Sequence, residues 1–429
     1  MYKRDTSPEN QSSKQPAGWY FFLIFFAFKP LIDLTWSINF GSFFGAGLNL
    51  PRLAAIIIFF VLLLLFFRNP RIVKSFGLII FLFLFIQILA IMSNVILGLV
   101  SAGYGINILL RGFDAFLILL IFSRYWTSRE MILQMVLIIW LSLFLVNIVS
   151  ILVFLSGFGN VSITVGVERF AGLYNDAGGP AYNGIFGIMF AFLSREMLLQ
   201  TRRLKLINVY SIIFYITVFS GLFLVWVSLT KSAFLMLLIF ILLWWGVHKK
   251  KYFVTVPAMI IGSIYLFLSN NLLQERFQDE INVFVEGDYS REALSSLGTG
   301  RVTTWIDVMT HFSRQDLFHQ LLGAGRDFGA HNQFIAYLML FGIFGLLVFL
   351  ILIASLMVRV INRYRMLPLP EFMMAIAMMW VFIANSFTGH PFLWSTSLWH
   401  LMILISFSLV PIKKMGEWKE FRLNANGQV

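Results

Sequence analysis

Lys231 has the type and neighbours of an anion-binding residue. It lies in the polar break Ser228–Ser232, which separates two apolar runs with almost no loop between them. A cation in so short a turn is not needed to orient the chain in a membrane. Its ammonium group either extends to the membrane surface, as long charged side chains do, or binds an anion, and we favour the anion.

Arg301 is the first residue of a predicted amphipathic helix. It follows the turn Gly298–Gly300, and apolar residues recur behind it at helical spacing: Val302, Trp305, Ile306 and Met309. We expect this helix to lie on the membrane. Unpaired N–H groups and the positive end of the dipole make a helix N-terminus suitable for anions, and an arginine adds geometry that fits phosphate. The alternative is a solvated arginine.

Two further arginines are candidates for the same anion. Arg169 lies in the segment Glu168–Asp176, just before an apolar run, and it can instead form an ion pair with Glu168 or Asp176. Arg326 lies in the glycine-rich loop Gly323–Gly329. Both are placed on the same side of the membrane as Arg301 by the topology described below.

His331 follows the glycine-rich loop and begins an apolar run. A histidine titrates near neutral pH, which makes it the natural general base for a hydroxyl group. His390 is a rival for this role on the same side of the membrane, and Asn332 is a secondary candidate. The alternative for His331 is an anchor at the membrane interface.

Membrane helices must position these residues. The chain has 429 residues, of which 59% are hydrophobic and 12% charged, whereas soluble domains have about 25% charged residues. The apolar runs are continuous, which excludes a β-barrel. They predict an all-α membrane protein with about twelve spans, at 18–36, 52–67, 77–100, 105–123, 131–155, 177–194, 208–228, 232–248, 252–269, 332–358, 371–388 and 393–411.

The distribution of basic residues predicts the orientation. With the N-terminus inside, 22 of the 32 Lys and Arg residues fall in inner segments and only eight in outer ones, so both termini are expected in the cytoplasm. The net charge of +12 then reflects topology, and no nucleic-acid partner is expected. The predicted parts are a cytoplasmic tail (1–17), helices one to nine (18–269), an external loop (270–331), helices ten to twelve (332–411) and a second cytoplasmic tail (412–429).

Two basic residues fall within predicted spans. Lys29 precedes Asp33 by four residues, and Arg111 precedes Asp114 by three. Because these spacings bring side chains to one face of a helix, we expect two ion pairs. In the external loop, the carboxylates of Glu286 and Asp288 could bind a cation, although a solvated acidic stretch is the simpler interpretation.

Several chemistries are excluded or unsupported. The chain has no cysteine, which rules out disulfides, thiolate metal sites and cysteine nucleophiles. It has no phosphate-binding loop of the Gly-x-x-x-x-Gly-Lys type, no His-Glu-x-x-His zinc helix and no Gly-x-Ser-x-Gly elbow. These chemistries are therefore poorly supported, and the expectation of no metal ion and no cofactor comes with the family resemblance given next.

The residues between about 295 and 350 resemble a known family. In chain order the features are Gly300-Arg301, Trp305, Gly323-Ala324-Gly325, His331-Asn332 and Gly342-Ile343-Phe344-Gly345. Together with about twelve spans and one large external loop, they resemble the bacterial O-antigen ligase and polymerase superfamily of membrane glycosyltransferases. Weaker resemblances are Arg169–Asn183 and Ser228–Ser232, where many members have Arg and this chain has Lys231, which keeps the charge but loses the two-pronged geometry.

The resemblance implies a metal-independent reaction at the periplasmic face of the bacterial inner membrane. A glycan on undecaprenyl diphosphate would be transferred to an acceptor hydroxyl, and the lipid diphosphate would leave. Lys231 and Arg301, with Arg169 and Arg326, would hold the diphosphate, and His331 would deprotonate the acceptor. A cation about 4 Å from a phosphate gains on the order of 4 kcal/mol at an effective dielectric near 20. Direct attack would invert the anomeric centre.

Four functions remain open from the sequence. The leading hypothesis is a polymerase, whose acceptor is another lipid-linked glycan. A ligase, whose acceptor is lipid A-core, comes second. A transporter or flippase of lipid-linked glycans would need a site near the membrane midplane, whereas the candidate residues lie at the outer boundary. A non-catalytic scaffold is the fourth. Proteins of polysaccharide export are possible partners.

Overall fold

The structure is a computed structural model, and it describes 18–35, 39–43, 46–68, 74–164, 167–174, 176–200, 204–269, 300–393 and 395–410, with isolated positions between 271 and 290. Its helices are α1 (Trp19–Asp33), α2 (Leu50–Arg68), α3 (Lys74–Ile96), α4 (Ala102–Tyr125), α5 (Arg129–Leu155), α6 (Gly178–Gln200), α7 (Leu204–Ser228), α8 (Lys231–Ile241, continued by the π-helical stretch Leu242–His248), α9 (Tyr252–Leu268), α10 (Arg301–Ser313), α11 (Leu317–Leu322), α12 (Gln333–Met366), α13 (Pro370–Ser386) and α14 (Ser395–Ser408). Both predicted tails, and Glu286 and Asp288, lie outside the described residues.

Long apolar helices make this a multi-pass membrane protein. Within the described ranges, seven helices are long and apolar enough to cross a membrane: α2, α3, α4, α5, α7, α8 with its π-helical extension, and α12. Each of the other five predicted spans also contains a helix, namely α1, α6, α9, α13 and α14. The helical class predicted from the continuous apolar runs is therefore confirmed, while the number of crossings stays a prediction.

Two β-hairpins depart from the all-α prediction. The first joins β1 (Asn39–Phe43) to β2 (Ala46–Asn49), and the second joins β3 (Asn160–Thr164) to β4 (Val167–Gly172), both antiparallel. An isolated hairpin is marginal in water, and here β4 packs against α6 and α7. Because the strands are short and stabilised by distant helices, periodicity alone did not reveal them.

Contacts between helix ends join elements that are far apart in the chain. At the start of α5, Arg129 bonds Glu371 at the start of α13, with Nε and Oε1 2.6 Å apart. The ends of α12 and α14 are joined by Arg363, which donates to the Val410 carbonyl over 3.1 Å. These contacts bring the start of α5 to the start of α13 and the end of α12 to the end of α14.

The two predicted intramembrane ion pairs have different outcomes. Lys29 pairs with Asp33, as predicted. The pair between Arg111 and Asp114 is wrong: neither carboxylate oxygen of Asp114 has a hydrogen-bond partner among the described residues, and Arg111 interacts electrostatically with Asp327 instead. The two side chains share one helix, but the carboxylate that acts on Arg111 is that of Asp327, in the loop that precedes α12, and not that of Asp114.

The predicted amphipathic helix is α10, and it begins at Arg301 as expected. Its packed face differs from the predicted one. Val308 and Phe312 are buried against α12, whereas Ile306 and Met309 are exposed. The predicted stripe therefore includes residues on the free face of the helix, which is the face available to lipid.

Two glycines allow α6 and α7 to approach closely. A Cβ atom added at Gly221 would lie 2.6 Å from the Gly184 carbonyl oxygen, and one added at Gly184 would lie 2.8 Å from the Gly221 carbonyl oxygen. Real Cβ atoms do not approach so closely. The crossing therefore requires small residues, as is common for helices packed within membranes.

Replacing Gly221 by Ala should lower stability by about 1–3 kcal/mol, because the two helices must move apart. Gly262→Ala in α9 is the matched control, since nothing lies within 4 Å of a Cβ added there and alanine favours a helix. Melting in detergent should show a lower midpoint for Gly221→Ala and no decrease for Gly262→Ala. Equal midpoints for Gly221→Ala and the unmodified protein would contradict the close crossing.

Candidate functional site

Arg169 contacts the polar break that precedes Lys231. Arg169 lies on β4, and its guanidinium donates to the Ser228 carbonyl over 3.0 Å and to Thr230 Oγ1 over 2.9 Å. Thr230 directly precedes α8, whose first residue is Lys231. The second hairpin therefore brings Arg169 to the polar break identified in the sequence, next to Lys231.

The polar break has a defined local structure. Leu229 adopts a positive φ of 44°, which ends α7 and turns the chain directly into α8. Thr230 does not cap α8 with its side chain. Its hydroxyl instead accepts from Arg169 and donates to the Ala177 carbonyl over 3.2 Å. The turn is thus held by β4 and by the residues before α6, which explains its short length.

Arg169 keeps its charge in this setting. Burial lowers the pKa of the Arg169 guanidinium, and Arg301 lowers it further, while Asp176 and Tyr182 act in the opposite direction. Because the pKa of an arginine ordinarily lies far above neutral pH, the group stays cationic at neutral pH. Asp176, one of the two ion-pair partners considered from the sequence, acts electrostatically on Arg169.

Arg301 is the third cationic residue of the candidate site, and it is the first residue of α10. Gly300 precedes it with a φ of 82°, a left-handed conformation that turns the chain into α10. Arg301 interacts electrostatically with Arg169, with Tyr182 and with His390. Arg301 is therefore close enough to act electrostatically both on Arg169 of β4 and on His390.

A neutral polar network lies beneath the cations. The Tyr182 hydroxyl from α6 is 2.8 Å from Ser232 Oγ on α8 and donates to Asn385 Oδ1 on α13 over 3.5 Å. Thr388 Oγ1 donates to the same Asn385 oxygen over 3.2 Å. Three helices are thus tied together by side chains that can donate or accept hydrogen bonds at the level of the site.

His331 and His390 form a stacked pair. Their ring centroids are 6.0 Å apart, with an angle of 15° between the planes. His390 Nδ1 lies 3.8 Å from Asp327 Oδ2, whereas His390 Nε2 is buried and has no partner among the described residues. His331 is the exposed member of the pair. It is therefore the histidine that a substrate can reach.

The backbone at His331 is strained. Its φ is 46°, a left-handed conformation that is uncommon for residues other than glycine. Trp305 of α10 holds the preceding residue by donating from Nε1 to the Ala330 carbonyl over 2.6 Å. Asn332 caps α12, accepting from the backbone N–H groups of Phe334 and Ile335. Strain of this kind persists only where neighbours fix it, and it is common at functional sites.

The glycine motifs position the loop that carries His331. A Cβ atom at Gly323 would lie 2.4 Å from the Phe341 nitrogen, and one at Gly342 would lie 2.2 Å from the Leu321 carbonyl oxygen. Ala324 donates to the Met339 carbonyl over 2.7 Å at this crossing. At Gly342 the backbone leaves the helical conformation and α12 is broken. The loop passes so close to this break that only glycines fit. The two glycine motifs are therefore structural, and they fix the loop on α12.

Two residues of the candidate site were missed by the sequence analysis. Asp327 is the carboxylate next to His390, and it also interacts electrostatically with Arg111. Tyr182 links α6 to α8 and α13. Asp327 is adjacent in sequence to Arg326, and Tyr182 falls within the segment Arg169–Asn183, so both had a weak signal. Arg326 itself is exposed.

His390 should make the protein sensitive to acid. Burial lowers the pKa of His390 from 6.5 to about 4, with Asp327 opposing and His331 adding to the decrease. As the pH is lowered, His390 of the unfolded chain binds a proton before His390 of the folded protein does. The free energy of unfolding should therefore decrease between about pH 6.5 and 4, by roughly 3 kcal/mol at 1.4 kcal/mol per pKa unit. Above this window the contribution is constant.

Melting midpoints measured across this pH range will test that expectation. His390→Asn should show a shallower decrease than the unmodified protein, because its side chain does not titrate. His319→Asn is the control, since His319 sits in α11 beside Asp316 and not against the buried site. Parallel pH profiles for His390→Asn and the unmodified protein would contradict a buried neutral His390.

Among the residues that the structure describes, no group of three or more His, Cys, Asp or Glu side chains could hold a metal ion. The arrangement offers cationic groups for an anion, hydroxyl and amide groups for polar ligands, and an exposed imidazole for proton transfer. No protein-family model matches the sequence, and no curated protein matches it either. The family described above therefore stays a resemblance.

Proposed function

We propose that this protein is a membrane glycosyltransferase that extends an O-antigen or a related surface polysaccharide. The donor is a glycan on undecaprenyl diphosphate, and the acceptor is a second lipid-linked glycan. In this proposal about twelve helices cross the bacterial inner membrane, both termini face the cytoplasm, and 270–331 form a periplasmic loop.

One observation carries the proposal. Arg169 and Lys231 lie together at the start of α8, and Arg301 interacts electrostatically with both Arg169 and His390. A cationic site beside an exposed imidazole has the two parts that transfer from a lipid diphosphate requires. One part stabilises the negative charge that develops on the leaving group, and the other accepts the proton of the attacking hydroxyl.

The proposed reaction proceeds in a single displacement. His331 accepts the proton of the acceptor hydroxyl, and the oxygen attacks the anomeric carbon of the donor. The bond from that carbon to the diphosphate oxygen breaks, and its electron pair leaves with the lipid diphosphate. Lys231, Arg301 and Arg169 receive the additional charge. The configuration at the anomeric carbon is inverted.

His331 is preferred to His390 as the base because of its position. His331 is exposed, whereas His390 is largely buried and its Nε2 atom has no partner in the described part of the chain. In the proposed mechanism His390 stacks on His331, and Asp327 lies beyond it. The carboxylate of Asp327 would then stabilise the positive charge that His331 gains on accepting a proton, with the neutral ring of His390 between them.

Purified protein incubated with lipid-linked repeat units alone will test the function. Chain growth in this mixture is the result we expect. Growth only after lipopolysaccharide core is added would identify a ligase with the same chemistry. Movement of the lipid-linked glycan across a vesicle membrane without a new glycosidic bond would overturn the proposal in favour of a flippase.

A further inference from the structure

A second group of polar side chains lies inside the membrane helices. It comprises Lys29 of α1, Asp114 of α4, and Trp399 and His400 of α14, all essentially inaccessible to solvent. None of these helices contributes a candidate residue to the cationic site described above. The group therefore needs an explanation of its own, because ionisable residues within a membrane are costly.

Lys29 is the centre of this group. Its ammonium pairs with Asp33 and donates to Thr396 Oγ1 over 2.8 Å. It also lies 5.0 Å from the centroid of the Trp399 ring, within the range of a cation–π interaction. The positive charge of Lys29 is thus balanced by the carboxylate of Asp33, which is partly exposed.

Asp114 has no such balance. Both of its carboxylate oxygens are buried, and neither has a hydrogen-bond partner among the described residues. The charged side chain that acts electrostatically on Asp114 is Lys29, whose hydrogen bonds go elsewhere. An ionised carboxylate in this position would be desolvated without compensation, which favours the protonated, neutral acid.

Two more polar atoms nearby lack partners. His400 Nε2 and Trp399 Nε1 are buried without a hydrogen bond in the described part of the protein. His400 also interacts electrostatically with Lys29. Buried polar groups in proteins are normally satisfied by protein or by ordered water, and a water molecule needs two to four polar partners. Asp114, His400 and Trp399 each have an unsatisfied polar atom that could bond to water. Each of the three residues also interacts with the Lys29 ammonium group.

We propose that Lys29, Asp114, Trp399 and His400 form an intramembrane site that binds water and one exchangeable proton, carried by Asp114. Among the described residues, the charged group that acts on Asp114 is Lys29 from α1. Lys29 in turn pairs with Asp33 and interacts electrostatically with His400 from α14. When Asp114 gives its proton to bound water, its carboxylate becomes an alternative partner for Lys29. Proton release at Asp114 then competes with the pair between Lys29 and Asp33, which links a deep group to one near the outer surface.

Labelling with dicyclohexylcarbodiimide tests the protonation of Asp114. This apolar reagent modifies protonated carboxyl groups within membranes, and mass spectrometry of the purified protein locates the adduct. At neutral pH we expect labelling of Asp114 to exceed that of Asp33 by on the order of tenfold, because the Asp33 carboxylate pairs with Lys29 whereas both Asp114 oxygens are buried without a partner among the described residues. Labelling of Asp33 in preference to Asp114 would overturn the proposal.

Two measurements on Asp114→Asn separate this site from a purely structural role. The amide closely matches a neutral acid, so the melting midpoint should be unchanged, and a decrease of several degrees would show that the charged carboxylate is needed. Infrared spectra should contain a protonated-acid C=O band that the variant lacks. The band should shift after transfer to D2O, and a band that does not shift would exclude an exchangeable proton.

Discussion

Arg301→Ala should reduce chain growth from lipid-linked repeat units by about 100-fold to 1000-fold, the usual cost of losing one charge-stabilising group in a transition state. Arg301 acts electrostatically on both Arg169 and His390, so its loss removes a charge that reaches both parts of the proposed site. Arg301→Lys should have an intermediate rate, because lysine restores the charge without the two-pronged geometry.

Arg314→Ala is the matched control for this experiment. Arg314 follows the last residue of the same helix, α10, and it is exposed. It has the same charge and the same effect on net charge, but it lies at the opposite end of the helix. A rate for Arg301→Ala equal to that of Arg314→Ala would remove Arg301 from the site while leaving the activity of the unmodified protein as separate evidence for the function.

Gly342→Ala should prevent the protein from folding normally, at a cost of about 4 kcal/mol or more. The backbone at Gly342 has φ 67° and ψ −170°, a conformation restricted almost entirely to glycine. A Cβ atom there would also lie 2.2 Å from the Leu321 carbonyl oxygen and 2.5 Å from the Leu322 nitrogen. Backbone atoms cannot yield as the end of a flexible side chain can, so strain and overlap add.

Gly329→Ala separates these two costs. Gly329 has a φ of 66°, close to that of Gly342, but nothing lies within 4 Å of an added Cβ atom. This variant should lose only about 1–2 kcal/mol, the cost of a left-handed conformation. The yield of monodisperse protein in detergent and its melting midpoint are the measurements. Equal losses in the two variants would show that the close passage of α11 over α12 contributes nothing.

Local spacing predicted one intramembrane ion pair and failed for the other. Lys29 and Asp33 are separated by four residues, and nothing closer competes for Lys29. Arg111 and Asp114 have an equally suitable spacing, but Asp327, more than 200 positions away in the chain, attracts Arg111. Helical periodicity states which side chains can meet along one helix. It carries no information on which distant loop folds over that helix.

The candidate site shows the same limit. Lys231 and Arg301 were selected because their local surroundings are unusual for cations, and this needed no tertiary information. The contact between Arg169 and the break before α8 depends on the hairpin of β3 and β4, which the hydropathy pattern does not contain. The stacking of His390 on His331 depends likewise on where two loops meet.

The break at Gly342 also divides α12 into a short first part and a longer second part, and only the second part needs to match the thickness of the bilayer. A straight helix with the 34 residues of α12 would be about 51 Å long, whereas the hydrocarbon layer is about 30 Å thick. The break leaves 343–366, about 36 Å long, to match that layer by tilting. The first turns of α12, which carry the cap next to His331, are held by α11 and the glycine-rich loop. A change in membrane thickness is then accommodated by the tilt of 343–366, while the turns next to His331 keep the position that α11 gives them.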